Sequence, residues 1–310
     1  MYDVIILGAG PAGLAAGLYA GRSRMKVLII EKGGDGGQIA QTADIENYPG
    51  QMLEGESGPS LVERMTKQCE QFGCERVMAE ITAVEISGPV KKIITTRGEF
   101  EGHTVILATG ANPKRIGCKG EEEYTGRGVS YCATCDGRFY SGLEVYVVGG
   151  GDAAVEEAIY LTKFARKVTL IHRRDSLRAV KSIQEKAFAN PKMAFIWDSV
   201  VEELGGKDEL ASMVLHNVKT GEKTVIEADP EDEIFGLFGF VGRVPGTKLF
   251  EGTGLEMNEA GYVPTDQDMR TNLPGVFAAG DIRVKSLRQV ITAAADGAIA
   301  ATMAEKYLEE

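Results

Sequence analysis

The chain has 310 residues, 44% hydrophobic and 25% charged, an ordinary balance for a globular protein of about two domains. Its formal charge of −11 argues against a generic binder of nucleic acid or of anionic membrane, which would carry a basic excess. Five cysteines, an odd number in a chain this long, do not look like the disulfide framework of a small secreted domain and better fit a cytoplasmic thiol protein.

In chain order, the first signal is an uncharged stretch, Val4 to Gly21, whose length approaches that of a membrane span. Pro11 and the glycines at 8, 10, 13, 17 and 21 divide it instead into strand, turn and helix, and no basic segment precedes it as an export signal would require. Residues 3–8 read as a buried parallel strand leading into Gly8-Ala9-Gly10-Pro11-Ala12-Gly13. A small-residue helix over Leu14–Ala20 follows, then a second apolar run, Val27–Ile30, that ends in Glu31. This strand–turn–helix–strand–acid unit predicts a dinucleotide site. Gly8 permits the tight turn, Gly10 lets backbone N–H groups approach a pyrophosphate, and Gly13 lets the helix pack on the strand. The helix N-terminus supplies partial positive charge, and Glu31 can accept hydrogen bonds from the ribose hydroxyls.

Further along, Val105–Gly110 reads as a strand that ends where the chain leaves this first domain. Cys132-Ala133-Thr134-Cys135, followed by Asp136, has the spacing that lets two sulfurs cycle between disulfide and dithiol. Half of a zinc site is one competing reading, and two inert buried thiols another. Zinc lacks a second Cys/His pair: Cys69 and Cys74 are five apart, Cys118 is alone, and His103, His172 and His216 are scattered. No metal site is expected. Asp136 adjoins Cys135 and suits proton donation to a leaving sulfur, while a turn- or helix-capping role stays open.

The glycine pattern then returns. Val145–Val148 leads into Gly149-Gly150-Gly151-Asp152-Ala153-Ala154, a helix through Val155–Leu161 and a strand over Val168–Ile171. Counting from the first glycine, the same offset leads from Gly8 to Glu31 and from Gly149 to His172. Arg173 and Arg174 follow His172 directly, and Arg178 lies one helical turn on. A carboxylate repels a ribose 2′-phosphate where a basic cluster binds it, so the second site is expected to prefer NADPH over NADH. A solvated basic loop is the bland alternative.

Asp229–Glu233 marks an acidic loop, and Phe235–Val241 is a strand with more glycines than its apolar character explains. Val276–Asp281 reads as a third buried strand ending in Gly-Asp, and Arg288–Met303 as an alanine-rich helix. A helix starting beside such an Asp offers both carboxylate and N–H groups to a polyhydroxyl chain. The fold expected is α/β, with two Rossmann-like nucleotide-binding domains, the second inserted into the first. Residues 1–112 and 243–310 form one domain; residues 113–242 form the other and carry the cysteine pair.

Together these stretches resemble the low-molecular-weight thioredoxin reductases, FAD- and NADPH-dependent pyridine nucleotide-disulfide oxidoreductases, over essentially the whole chain. The resemblance rests on the order and spacing of Gly8–Gly13, Gly36-Gly37-Gln38, Glu46-Asn47-Tyr48-Pro49-Gly50, Ala108-Thr109-Gly110, Cys132–Gly137, Gly149–Ala158, His172–Ala179, Gly280-Asp281 and Arg288-Gln289-Val290. It implies that the discontinuous domain holds FAD through Gly8, Gly10, Pro11, Ala12, Gly13, Glu31, Gly37, Gln38, Asn47, Thr109, Gly110, Asp281, Arg288, Gln289 and Val290. NADPH is implied on Gly149, Gly151, Asp152, Ala153, Ala154 and His172, with Arg173, Arg174 and Arg178 on the 2′-phosphate. By the same resemblance Cys135 lies nearest the flavin, Cys132 attacks a partner disulfide, Asp136 is the general acid, and rotation of the inserted domain presents nicotinamide and disulfide in turn.

The implied activity is thioredoxin-disulfide reduction by a cytoplasmic homodimer. The implied partner is thioredoxin or a related small dithiol protein, with no nucleic acid and no membrane. A glutaredoxin-like or peroxiredoxin-system partner is the main alternative. A thiol oxidase would have no use for the basic second site, and a ferredoxin–NADP reductase of similar architecture lacks the cysteine pair. Two departures stand out. Asp152-Ala153-Ala154 lacks the Ser or Thr frequent in its middle, and Arg138 stands where an aromatic residue is common, although Phe139 and Tyr140 follow.

Overall fold

The continuous apolar runs of the sequence become the central strands of two largely parallel sheets, as strands buried on both faces must. A computed structural model describes residues 1–310 except 42–44, 46 and 53–54, with the backbone alone at Gln41, Thr134 and Cys135. Glu46, within one motif stretch, therefore lies outside the described residues.

The elements run β1 (Tyr2–Leu7), α1 (Pro11–Arg22), β2 (Val27–Glu31), α2 (Gly58–Gln71), β3 (Glu75–Met78), β4 (Ile81–Glu85), β5 (Lys91–Thr95), β6 (Gly98–Leu107) and β7 (Ala111–Pro113). Next come α3 (Glu121–Tyr124), β8 (Val129–Ser130), α4 (Ala133–Asp136), β9 (Glu144–Gly149), α5 (Asp152–Leu161), β10 (Lys167–Ile171), α6 (Lys181–Ala189) and β11 (Met193–Ile196). Then follow β12 (Ser199–Gly206), β13 (Leu210–Asn217), β14 (Lys223–Glu227), β15 (Gly236–Phe240), β16 (Arg243–Pro245), β17 (Val276–Ala278) and α7 (Val290–Glu309). Two compact units emerge, Met1–Asn112 with Val244–Glu310, and Pro113–Arg243.

In the first unit the sheet order is β3-β2-β1-β6-β5-β4, with β17 also on β6. The start of β6 pairs antiparallel with β5 and its end pairs parallel with β17. Strand alternation splits β1 between two cores: Val4 and Ile6 pack with α1 and α7, Ile5 and Leu7 on the other face. Small residues, among them Ala12, Ala16, Ala300 and Ala304, fill the core shared by α1 and α7. The alanine-rich helix begins at Val290, and Asp281 does not stand at its start but in a separate 3₁₀ turn, Gly280–Ile282. The intervening residues are held by a buried ion cluster described below.

In the second unit five parallel strands are ordered β11-β10-β9-β15-β8, and β12-β13-β14 form a separate antiparallel sheet. Val145 and Val147 pack with Val155, Ala158 and Leu161 of α5, whereas Tyr146 and Val148 face the opposite core. Among the described residues no helix is long and apolar enough to cross a membrane.

Candidate functional site

The first glycine loop is closed at its ends and open in its middle. A Cβ at Gly8 would lie 2.5 Å from the Ala108 carbonyl oxygen, and one at Gly13 would lie 1.9 Å from the Gly8 oxygen. At Gly10 a Cβ would meet nothing nearer than the Gly36 oxygen at 3.9 Å. Gly10 is the N-cap of α1 without a side-chain cap, Pro11 begins the helix, and no acidic side chain lies in the first turn, where Ala12 and Gly13 follow. Open space before an uncapped helix N-terminus fits a pyrophosphate. Glu31 Oε2 accepts from Ala9 N at 2.8 Å and Oε1 accepts from Gly33 N at 3.2 Å, leaving lone pairs for ribose hydroxyls. Gly36 N donates to Ala9 O at 2.7 Å, which sets Gly37 against Gly10.

Several of the remaining first-unit candidates are held by bonds to residues distant along the chain. Gln38 Nε2 donates to Asn112 Oδ1 at 3.1 Å, and Thr109 Oγ1 donates to the Gly246 carbonyl at 2.8 Å. Gly246 N donates to Gly110 O at 2.9 Å. Asn47 Nδ2 donates to Gln289 Oε1 at 3.2 Å, directly before Val290 opens α7. Arg288 lies over the Tyr262 ring, 4.1 Å from its centroid, and its Nη2 donates to the Arg283 carbonyl at 3.2 Å.

The turn bearing Asp281 depends on a residue the sequence reading missed. Asp296, 7% exposed, accepts from Gly280 N at 3.0 Å and pairs with Arg283 at 2.7 Å and Lys285 at 2.6 Å. One signal was available: it is the only charged residue between Val290 and Ala304.

The second loop repeats the plan with a different ribose end. A Cβ at Gly149 would lie 2.4 Å from the Ala154 Cβ, while Gly151, the uncapped N-cap of α5, has nothing within 4 Å. His172 occupies the chain position of Glu31, yet its ring lies against Gly150, where a Cβ would sit 2.2 Å from Cε1. It is buried, and its Nε2 has no hydrogen-bond partner among the described residues. Burial holds its pKa below the ordinary 6.5, and Arg178, Arg174 and Arg173 push the same way against a hydrogen bond to the Gly149 backbone.

Arg173, Arg174 and Arg178 are exposed, and among the described residues none pairs with a carboxylate. Asp175, in the same loop, pairs instead with Lys219 at 2.8 Å. The loop is irregular, not helical, at Arg178, and two bonds pin it to the glycines. Arg178 N donates to Gly150 O at 2.7 Å, and Val180 N donates to Asp152 Oδ1 at 2.7 Å. Asp152 thus fastens the basic loop to the first turn of α5, ahead of Ala153 and Ala154.

The cysteine segment lies in the same unit. Cys132 is half-buried and held in a disulfide, while the side chain of Cys135 lies outside the described residues. Cys132 N donates to Ser130 Oγ at 3.1 Å, and Asp136 N donates to the Cys132 carbonyl at 3.2 Å. Asp136 closes α4 and makes no capping bond to the following 3₁₀ turn, Gly137–Tyr140. The puzzling glycines of β15 find their reason here. A Cβ at Gly239 would lie 2.8 Å from the Tyr131 ring and one at Gly236 would lie 2.9 Å from the Tyr140 ring. These tyrosines flank the segment, and a side chain at either glycine would displace one of them. Tyr131 also donates to the buried Glu121, which accepts from Ile116 N and Gly117 N at 2.6 and 2.7 Å. Burial pushes both tyrosines up to about 12, so they remain protonated at neutral pH. Phe139, 79% exposed, lies on the outer surface.

Residues 2–297 match the family described as pyridine nucleotide-disulphide oxidoreductase. The chain is 57% identical over 309 residues to a thioredoxin reductase of Peptoclostridium acidaminophilum, spanning all of this chain and 98% of the relative. It is 46% identical over 312 residues to a thioredoxin reductase of Bacillus subtilis strain 168, spanning 100% and 96%. The crystal structure of Lactococcus lactis thioredoxin reductase in its FR conformation matches with a TM-score of 0.82 at 48% identity, covering 100% of this chain and 99% of that one.

Two outcomes are expected of this geometry. Gly150→Ala drives a methyl into the His172 ring and costs about 1–3 kcal/mol by overpacking, whereas Gly151→Ala stays within about 0.5 kcal/mol of wild type but weakens dinucleotide binding. Urea denaturation and nucleotide titration of the two variants separate these effects. The depressed pKa of His172 means the folded chain binds its proton more weakly than the unfolded chain. The stability contributed by the neutral ring is therefore complete above 6.5 and lost as pH falls through the lower folded value. An NMR titration of His172 with a midpoint at or above 6.5 would contradict this.

Proposed function

The chain belongs to the pyridine nucleotide-disulphide oxidoreductase family, and on that premise we propose that it is a thioredoxin-disulfide reductase, carrying electrons from NADPH through FAD to Cys132 and Cys135 and on to oxidised thioredoxin. The observation that carries this reading is the doubled glycine-loop unit, acidic at Glu31 and basic at Arg173, Arg174 and Arg178, with the cysteine segment in the basic unit.

FAD belongs to residues 1–112 and 243–310, on the open loop at Gly10, Glu31, Gly37, Gln38, Asn47, Thr109, Gly110 and the Asp281 and Arg288–Val290 segments. When bound, it supplies the two-electron link between a hydride donor and a disulfide. NADPH belongs to residues 113–242. The uncapped N-terminus of α5 would hold its pyrophosphate, and the guanidinium groups of Arg173, Arg174 and Arg178 would hold the 2′-phosphate that a carboxylate such as Glu31 would repel.

In the outgoing half-reaction the Cys132 thiolate attacks the partner disulfide, breaking its S–S bond and forming a mixed disulfide. Cys135 then attacks the Cys132 sulfur, which releases the partner as a dithiol, and Asp136 supplies the proton to the leaving sulfur. Phe139 offers the partner an apolar contact beside this chemistry. The protein works as a homodimer in the cytoplasm, and its net charge of −11 is unsuited to nucleic acid.

Cys132→Ser and Cys135→Ser each abolish thioredoxin reduction while anaerobic NADPH still bleaches the flavin band. Thioredoxin reduction at the wild-type rate by either variant would end the relay. Arg173→Ala with Arg174→Ala raises the KM for NADPH about 10–100-fold, the loss of two charge-assisted bonds, and changes that for NADH less than about twofold. Equal losses would mean general disruption. NADPH oxidation against a panel of oxidised thioredoxins, glutaredoxin-like proteins and peroxiredoxin-system carriers identifies the partner, and oxygen consumption without NADPH would indicate a thiol oxidase instead.

A further inference from the structure

The C-terminus of α2 closes in a way that brings two further cysteines together. Gly73 takes the left-handed conformation, φ 75°, and its N–H donates to Glu70 O at 3.0 Å. The Cys74 N–H donates to Cys69 O at 3.2 Å. These crossed bonds are a Schellman closure, which sets the side chain three residues before the helix cap against the one two residues beyond it, a pair usually apolar. Here both members are cysteine. The Cys69 thiol donates to the Leu14 carbonyl at 3.0 Å and the Cys74 thiol to the Gly17 carbonyl at 3.1 Å, so both lie along one side of α1. The closure therefore turns these two side chains toward each other against the same helix. Both are free thiols, and neither enters the nucleotide loops or the Cys132 segment.

We propose that Cys69 and Cys74 form a second oxidisable dithiol, converted by a hydroperoxide into a disulfide that fastens the end of α2 to the start of β3. Cys74, 8% exposed against 0% for Cys69, is the less buried of the two and the one assigned to meet the peroxide first. Its thiolate attacks one peroxide oxygen and the O–O bond breaks. Cys74 becomes a sulfenic acid, and the leaving oxygen takes up the thiol proton. Cys69 Sγ then attacks the sulfenic sulfur: the S–S bond forms, the S–O bond breaks, and water leaves with the Cys69 proton. With hydrogen peroxide the sum is two thiols and one peroxide giving one disulfide and two waters. The neighbouring Cys74 and burial push the Cys69 thiol up, whereas Cys69 pulls the Cys74 thiol down against burial, which favours Cys74 as the nucleophile. The closure already sets the two side chains against each other across one turn.

Trypsin releases both residues in one peptide, 68–76, which makes the reaction directly readable. The flavoprotein is reduced with dithiothreitol, desalted, treated with hydrogen peroxide, then unfolded, alkylated and digested without reductant. The expected product is peptide 68–76 lacking two hydrogens and both alkyl groups, restored to the doubly alkylated form by dithiothreitol before alkylation. In Cys69→Ala, dimedone present during the peroxide step is expected to label Cys74. A peptide that stays doubly alkylated, a Cys74 sulfinic acid without a cross-link, or no dimedone adduct in Cys69→Ala would each overturn the proposal.

Discussion

The first turns of α1 and α5 carry backbone N–H groups that no side chain caps, and each unit is built around keeping the space before them clear. Such donors are costly when left without a partner, so these helix ends favour an anion. The glycine pattern divides the work. Its first position is crowded in both loops, by the Ala108 carbonyl at Gly8 and the Ala154 methyl at Gly149, while its middle position faces open space at Gly10 and Gly151. The crowding fixes where each helix begins relative to the sheet, and the opening leaves room for what binds there.

What distinguishes the two loops is charge, and the charge is positioned by backbone bonds. Glu31 bonds into its own loop through Ala9 and Gly33. In the second loop an imidazole replaces the carboxylate, and a ring that large fits only because residue 150 is glycine where the first loop has Ala9. Three arginines are then left without carboxylate partners among the described residues, while Lys219 occupies the nearby Asp175. A buried carboxylate at Asp296 does related work in the first unit, holding the Gly280 turn through one backbone bond and two cations. The desolvation of three buried charges offsets much of their mutual attraction, so what the cluster visibly contributes is the position of this turn.

The two cysteine pairs show how placement decides chemistry. Cys132 lies half-buried at the start of a short helix, in a segment held by Tyr131 and Tyr140, each fitted to a glycine of β15. Cys69 and Cys74 lie buried at the closing turn of a longer helix, bonded to carbonyls of α1. Spacing alone makes the first pair a redox candidate and says little about the second. Four intervening positions are closed into one turn only when Gly73 adopts a left-handed conformation.

The sequence by itself determined the repeated loops, the contrast between Glu31 and the arginines, and the cysteine spacing, because each rests on local backbone requirements or on charge at a fixed offset from a strand end. It located the apolar centres of the strands for the same reason, although the run read to Asp281 leaves its strand at Ala278. The tertiary structure alone decided that Asn47 meets Gln289, that Asp296 anchors Gly280, that Gly236 and Gly239 make room for tyrosines, and that Asp152 secures the arginine loop. Those contacts join residues distant along the chain or depend on which face a side chain takes after packing, and neither is encoded in the pattern of any single segment.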